Sequence, residues 1–405
     1  MKFTYTARNN QGKLEKGEME IPSEHDLAQY LRSKDLILTH AETQNNKTEN
    51  GKKTIKLPWL QRVSAIEKIF FTQNLQVMVR SGLSISVALK TLAEQTTNKS
   101  MRIILLDVQQ KVDRGIPLSD SLAEHPKIFS ELFVSMVRAG EKSGKLDEVL
   151  LQITNQLRKS HALIAKVKGA LTYPVIVIIA MLGIGTAMMV YVIPQMTSIF
   201  QEVNATLPLP TLILIETSNF LVNNGLWVLL GTILIVVTFV QFIHTKKGKQ
   251  NWHGFLLKLP IVSSILKKIN LAKFARTFSS LLKTDIPIVQ AFQITASTLS
   301  NVLYREALVQ TGEGVKKGVA VSNIIRGYPK LFPPLIAQMI AVGEETGTLD
   351  NILEELAQFY EDDVDRTMGN LATIIEPVLM IVLGFGVGGM AIAIIMPMYS
   401  LSQSI

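Results

Sequence analysis

The stretch Ala139-Gly140-Glu141-Lys142-Ser143-Gly144-Lys145-Leu146 invites a phosphate-binding reading. A Walker loop places four residues between its first glycine and a Gly-Lys-Ser/Thr, so that backbone amides curl round the phosphates and the hydroxyl reaches magnesium. Here three residues separate Gly140 from Gly144, and Leu146 stands where the hydroxyl is needed. A second copy, Gly343-Glu344-Glu345-Thr346-Gly347-Thr348-Leu349, carries no lysine at that place. The spacing reads instead as a tight helix–helix turn in which glycine permits positive φ. Gly140, Glu141 and Gly144, with Gly343, Glu344 and Gly347, are then candidate partner-contact turns, the glutamates being exposed.

Other side chains of chemical interest are few. Glu361-Asp362-Asp363 with Asp365 would suit a divalent cation that takes oxygen ligands. No loop with a central glycine accompanies them, which favours a solvated helix face. The chain has no cysteine, which excludes disulfides, Cys-ligated zinc, iron–sulfur clusters and a cysteine nucleophile. The histidines at 25, 40, 125, 161, 244 and 253 are scattered, none at the spacing of a metal pair. No His-Glu-x-x-His, Gly-x-Ser-x-Gly or dinucleotide fingerprint occurs. We therefore expect no catalytic residue, no cofactor site and no metal site.

The elements that carry these residues are set by hydropathy. Of 405 residues, 47% are hydrophobic and 18% charged, against roughly 25% charged in a typical soluble domain. Mean hydropathy is +0.26. Three segments have the ~20 apolar residues that span a bilayer. They are 171–193, 221–243 and 374–397, the last with Glu376 at its edge. Pro174 and Pro377 sit just inside their spans, where proline in a first helical turn costs little. Together with Gly384 and Gly388 they are the candidate packing residues between spans.

Lys/Arg bias orients the spans. Arg158, Lys159, Lys166 and Lys168 precede the first, and Lys246, Lys247 and Lys249 follow the second. The loop 194–220 has no Lys or Arg and is expected outside, in the periplasm. Residues 1–170 carry 26 basic and 18 acidic side chains, and residues 244–373 carry 15 and 12, so both regions are expected in the cytoplasm. The N-terminus then lies inside, with no cleaved signal, and the tail 398–405 lies outside. The overall charge of +8 suits an anionic inner leaflet and calls for no bound nucleic acid.

Shifted by 203 positions, the chain matches itself without a gap. Between 126 and 150, eleven of twenty-five positions are identical. Tyr173-Pro174 falls on Glu376-Pro377, and Pro194 on Pro397. The repeat is thus a polar domain plus the span that follows it, duplicated in parallel. Apolar spacing of three and four makes each polar unit a helical bundle, residues 57–170 and 244–373. The last helix of each, from Leu146 and Leu349, runs on toward its span. Residues 1–41 differ: an alternating hairpin, a helix capped by Ser23 and running to Arg32, and a short strand at 36–39 form a small α+β segment. Residues 42–56 read as a polar linker. The fold class is an all-α integral membrane protein with two homologous helical bundles and three transmembrane helices.

This pattern closely resembles the inner-membrane platform proteins of type IV pilus and type II secretion machines, the secretion protein F family. The resemblance is carried by Gly-Glu-x-Ser/Thr-Gly-x-Leu after His/Tyr-Pro-x-x-Phe in both copies, and by Tyr5-Thr6-Ala7, Gln11-Gly12-Lys13, Gly17 and Leu31-Arg32 at the start. Asp285 departs from it, standing where the first copy has Gly82. The resemblance implies a scaffold that sits against a hexameric ATPase, receives pilin or pseudopilin subunits from the bilayer, and works beside other inner-membrane assembly proteins as a homo-oligomer. It leaves a pilus, a competence pilus for DNA uptake and type II secretion open. From another class, a small-solute transporter is disfavoured by uncharged spans and a parallel repeat.

Overall fold

Serine, asparagine and glycine punctuate the chain where helices must begin and end. The computed structural model describes residues 2–9, 14–21, 24–34, 36–44, 63–202 and 208–402. They fall into two compact units, residues 1–62 and 63–405.

In the first unit, β1 (Lys2–Asn9) pairs antiparallel with β2 (Leu14–Glu20) and with β3 (Leu36–Gln44), giving the strand order β2-β1-β3. Helix α1 (Glu24–Arg32) buries Leu27 and Leu31 with Ala7 of β1. Gly17 faces Tyr5, and a Cβ there would stand 2.6 Å from the Tyr5 hydroxyl. The last strand is longer than the sequence suggests, so the expected linker begins after Gln44. Its remainder, and the expected Ser23 cap, lie outside the described residues.

The second unit opens with α2 (Ala65–Arg80), whose Ser64 and Glu67 form a reciprocal capping box. Then come α3 (Ile85–Gln95), α4 (Lys99–Asp113), α5 (Leu118–Ala123), α6 (Glu131–Ser143) and α7 (Leu146–Ala187). A π-helical turn (Met188–Val192) joins α7 to α8 (Ile193–Glu202); α9 (Leu209–Asn223), α10 (Gly225–His244) and α11 (Lys246–Leu256) follow. The second bundle is α12 (Pro260–Leu282), α13 (Ile288–Thr298), α14 (Val302–Lys316), α15 (Val321–Arg326), α16 (Pro334–Thr346) and α17 (Leu349–Ser402).

Helices α3 to α6 and the start of α7 recur as α13 to α16 and the start of α17, every boundary displaced by 203 positions. The caps recur too: Asn98 accepts from Ser100 N and Met101 N, and Asn301 from Leu303 N. The cores recur as well. Phe71 lies 5.7 Å from Phe129, and their counterparts Phe274 and Phe332 are 5.6 Å apart, centroid to centroid. The two bundles do not stand apart, however. Their buried side chains form one continuous hydrophobic cluster, joined where α7 meets α12 and α17.

Among the described residues Asp285 is the one non-glycine with positive φ, 57°, where Gly82 has 81°. An L-residue pays roughly 1–2 kcal/mol in this region, aspartate somewhat less. Glycine returns roughly 0.5–1 kcal/mol of that through its freer unfolded chain. Asp285→Gly should therefore stabilise the protein by up to about 1 kcal/mol, and Asp285→Val should destabilise it by more. Thermal melts of the detergent-solubilised chain check this; a lower melting temperature for Asp285→Gly would refute it.

Candidate functional site

The twin turns are built inward. Glu141 accepts from the backbone N–H of Leu118 at 2.6 Å and of Ser119 at 2.9 Å. Glu344 accepts from Val321 at 2.5 Å and Ser322 at 2.9 Å. Helices α5 and α15 begin after Pro117 and Ala320, neither of which supplies a side-chain cap. Each glutamate is therefore a remote cap, its charge suited to a helix N-terminus. Both carboxylate oxygens are occupied within the chain, where the sequence reading had them facing outward.

The glycines hold the same junction. Gly144 and Gly347 have φ of 70° and close the helices before them, with Lys145 N bonded to Gly140 O and Thr348 N to Gly343 O, each at 3.0 Å. A Cβ at Gly140 would stand 3.0 Å from Val149 Cβ, and one at Gly343 3.0 Å from Leu349 Cα. The motif thus clamps α6 against α7 and α16 against α17, fixing the angle at which each long helix leaves its bundle. A hydrogen bond to a charged group contributes roughly 1.5–3 kcal/mol, and here two share one partly exposed carboxylate. Glu141→Ala should cost about 2 kcal/mol and Glu141→Gln less. Hydrogen exchange at the Leu118 and Ser119 amides reads this directly; unchanged protection would rule the cap out.

Of the carboxylates at 361–365, Glu361, Asp363 and Asp365 face cations. Arg276 on α12 donates to Glu361 through Nε at 2.7 Å and Nη2 at 2.8 Å, and through Nη1 to Glu354. Lys268 reaches Asp363 and Thr367, both at 2.9 Å. From the first repeat, Lys159 lies 3.5 Å from Glu361, and Lys166 pairs with Asp365. Gln156 accepts from Ser280 and donates to Thr277, each at 3.1 Å. Among these acids only Asp362 stays on the exposed side, with Gln358 as its partner. Burial pushes the Glu354 carboxyl up, and the Arg276 guanidinium, joined by Lys283 and Ser279, more than reverses it, leaving its pKa below the usual carboxylate value. Burial likewise opposes the charge on Arg276, and Glu361 and Glu354 outweigh it. Lys273, half-buried beside this seam, has its pKa lowered by burial. The repeat-1 counterpart of the Arg276–Glu361 pair is Gln73 with Arg158, 2.5 Å apart, so the cation sits on the opposite helix. Sequence spacing carried no sign of this seam, because its partners lie 78 to 199 residues apart.

Among the described residues, three helices are long and apolar enough to cross a membrane: Leu146–Ser198, Gly225–His244 and Leu349–Met396, with mean hydropathies of 2.5, 2.5 and 2.6 over their most apolar windows. The first and third are continuations of α7 and α17. Pro174 and Pro377 therefore lie in mid-helix, not in a first turn as the sequence suggested. Each removes one ladder hydrogen bond, which membrane helices tolerate. Among the described residues, a Cβ at Gly384 or Gly388 would have nothing within 4 Å beyond its own helix. The stretch 194–220, read as a loop, is helical where described. Helix α9 turns Thr211, Ile215 and Ser218 inward at i, i+4 and i+7. Thr211 Oγ1 donates to Ala393 O at 2.7 Å and Ser218 Oγ to Met189 O at 2.5 Å, the latter in the π turn where a carbonyl is displaced from the regular ladder.

A family profile described as "Type II secretion system (T2SS), protein F" matches residues 71–194 and 274–397, and the N-terminal domain profile of the same protein matches residues 1–42. The two matches to the first profile are themselves 203 positions apart. A type IV pilus assembly protein PilC of Myxococcus xanthus is 32% identical over 403 residues, covering 100% of this chain and 95% of the relative. One of Thermus thermophilus is also 32% identical, covering 98% of each. A type II secretion system protein F of Pseudomonas aeruginosa is 31% identical, covering 99% of this chain and 98% of the relative.

Proposed function

The chain belongs to the type II secretion system protein F family, and from that premise we propose that it is the inner-membrane platform of a type IV pilus assembly machine. The observation that carries this reading is the pair of rigidly clamped bundles, each continued by one unbroken helix into an apolar segment. Bundles of that build can receive work from a cytoplasmic hexameric ATPase. The helices can pass it to the bilayer, where pilin subunits join the fibre. The bundles and the N-terminus then lie in the cytoplasm and the C-terminus in the periplasm, as the Lys/Arg bias requires. The chain is a coupling scaffold and performs no catalysis of its own.

A second reading has specific support. Relatives with pilus names and relatives with secretion names match at nearly equal identity, so a type II secretion platform fits the same geometry. Deleting the gene and scoring surface pili, DNA uptake and exoprotein release separates the two. Loss of pili with secretion intact is expected. Loss of secretion alone would assign the second reading. Intact pili and intact secretion, nucleotide hydrolysis by the purified chain, or solute flux in liposomes would refute the platform role.

A further inference from the structure

Helix α11 folds back on the end of α10. Thr245 between them caps α11, accepting from Gly248 N at 3.1 Å and donating to Phe242 O at 2.7 Å. Gly248 is buried there, and a Cβ on it would overlap Phe242 O, so the approach requires glycine. The fold-back sets Trp252 edge-on against Phe239, near the end of α10, with ring centroids 5.1 Å apart. Phe255 stacks on Trp252 at 5.9 Å and is 51% exposed. Two aromatic rings thus stand beside the last turns of an apolar helix, the depth at which tryptophan collects in membranes.

Helix α11 also meets α14. His253 Nδ1 accepts from the Val302 N–H at 3.1 Å, so that nitrogen carries no proton and Nε2–H is left to donate. Lys249, Trp252 and His253 follow at i, i+3 and i+4 and share one face of α11. Burial holds the His253 pKa below its ordinary value of 6.5, and the charges of Lys249 and Arg305 lower it further, so both cations stand close to the imidazole. Neither cation has a carboxylate partner among the described residues. Arg305 donates through Nη2 to Leu299 O at 2.9 Å, and its Nε is buried without a partner. The neighbouring acid, Glu306, accepts from Gln250 at 3.4 Å. Arg276 in the same bundle, by contrast, is matched by two carboxylates.

We propose that the corner between α10, α11 and α14 holds the phosphate headgroup of an anionic phospholipid. Lys249 and Arg305 supply its countercharge, His253 Nε2–H a hydrogen bond, and Trp252 and Phe255 the apolar surface for its acyl chains. Unmatched cations beside exposed aromatic rings fit an amphiphile; a soluble phosphate would leave the rings uncovered. The bound lipid ties α14, and with it the second bundle, to the leaflet. The proposal rests on reading α10 as a span whose end at His244 faces the cytoplasm.

Tryptophan occurs at 59, 227 and 252. The full chain with Trp59→Phe and Trp227→Phe reports from Trp252 alone. With Trp59→Phe and Trp252→Phe it reports from Trp227, 72% exposed near the other end of α10. Both are placed in phosphatidylcholine vesicles containing a small fraction of either phosphatidylglycerol or phosphatidylcholine brominated high on its acyl chains. Trp252 should be quenched more by the anionic lipid than by the neutral one at equal content, and Trp227 equally by both. Lys249→Gln and Arg305→Gln should each raise the anionic fraction needed for half-maximal quenching about fivefold. Lys142→Gln, on α6, should leave it unchanged. Lys249→Gln removes no hydrogen bond or ion pair within the chain, so its effect stands whatever Arg305→Gln does to folding. Equal quenching of Trp252 by the two lipids, or an equal effect of Lys142→Gln, would overturn the site. Relief of quenching by glycerol 3-phosphate at constant ionic strength would assign a soluble phosphate and overturn the lipid. Quenching of Trp227 without Trp252 would overturn the site and leave the span standing; quenching of neither would overturn the span on which it rests.

Discussion

Arg276→Ala is expected to lose about 3 kcal/mol of stability, the lower end of what removing one partner from a buried ion pair costs. The guanidinium is 9% exposed and serves two carboxylates on α17 at once. Without it Glu361 is left half-buried with only Lys159 at 3.5 Å. Glu354 is exposed enough for water to take over its charge, which keeps the loss from the top of the range. The double variant Arg276→Gln with Glu361→Arg rebuilds the first repeat's Gln73–Arg158 pair and should recover part of the loss. It cannot recover all, because the new arginine meets Lys159. Urea unfolding of the three variants checks the order; equal stability of Arg276→Ala and the natural chain would remove the seam from the account.

The same pair sets an acid limit. The Glu354 carboxyl has a folded pKa below its ordinary value of 4.5. A depressed carboxylate contributes stability that is complete above its unfolded pKa and is lost as pH falls through the folded one. Stability should therefore hold above pH 4.5 and decline below it, less steeply in Arg276→Ala, where the largest cause of the depression is gone. An unchanged acid slope in that variant would place the sensitivity elsewhere. The Asp107 carboxyl, held low first by its bond to Lys111 and also by His125, titrates in the same direction and forms the background.

Inserting a flexible Gly-Ser stretch at Gly169 is expected to abolish fibre assembly while leaving membrane insertion intact. Helix α7 runs unbroken from Leu146 to Ala187, about 60 Å at 1.5 Å per residue. Up to Lys166 it is tied to α17 through Lys159 and Lys166, so the two long helices move together in the bundle. Gly169 lies just beyond that tie, at the edge of the core where Val167 and Ala170 still pack, and has no neighbour within 4 Å of a Cβ. An insertion there uncouples displacement of the bundle from the span. A seven-residue helical insert, close to two turns, keeps the rod stiff and should retain part of the activity. Fibres at normal abundance with the flexible insert would dispose of the lever.

Much of this is legible in the amino-acid order. The 203-residue repeat follows from Pro126-Lys127 recurring as Pro329-Lys330 and Gly140-Glu141 as Gly343-Glu344. The hairpin, the helix to Arg32 and the three apolar helices follow from alternation, caps and hydropathy. These signals act over one or two turns, so a short window contains their cause. Helix α9 was missed because its inward residues, Thr211 and Ser218, are polar. They are buried only because Ala393 and Met189 offer carbonyls nearly two hundred and about thirty residues away.

The amino-acid order alone therefore determined that the two modules are helical, which segments are apolar enough for a bilayer, and that one module occurs twice. Only tertiary packing decided that Glu141 and Glu344 turn inward to hold a neighbouring helix, that the acids at 361–365 meet lysine and arginine, and that the modules join through unlike faces. The reason is the range of the forces' evidence in the chain. Backbone hydrogen bonds and hydrophobic periodicity are written locally, whereas a carboxylate's partner depends on which distant helix the shared core brings beside it.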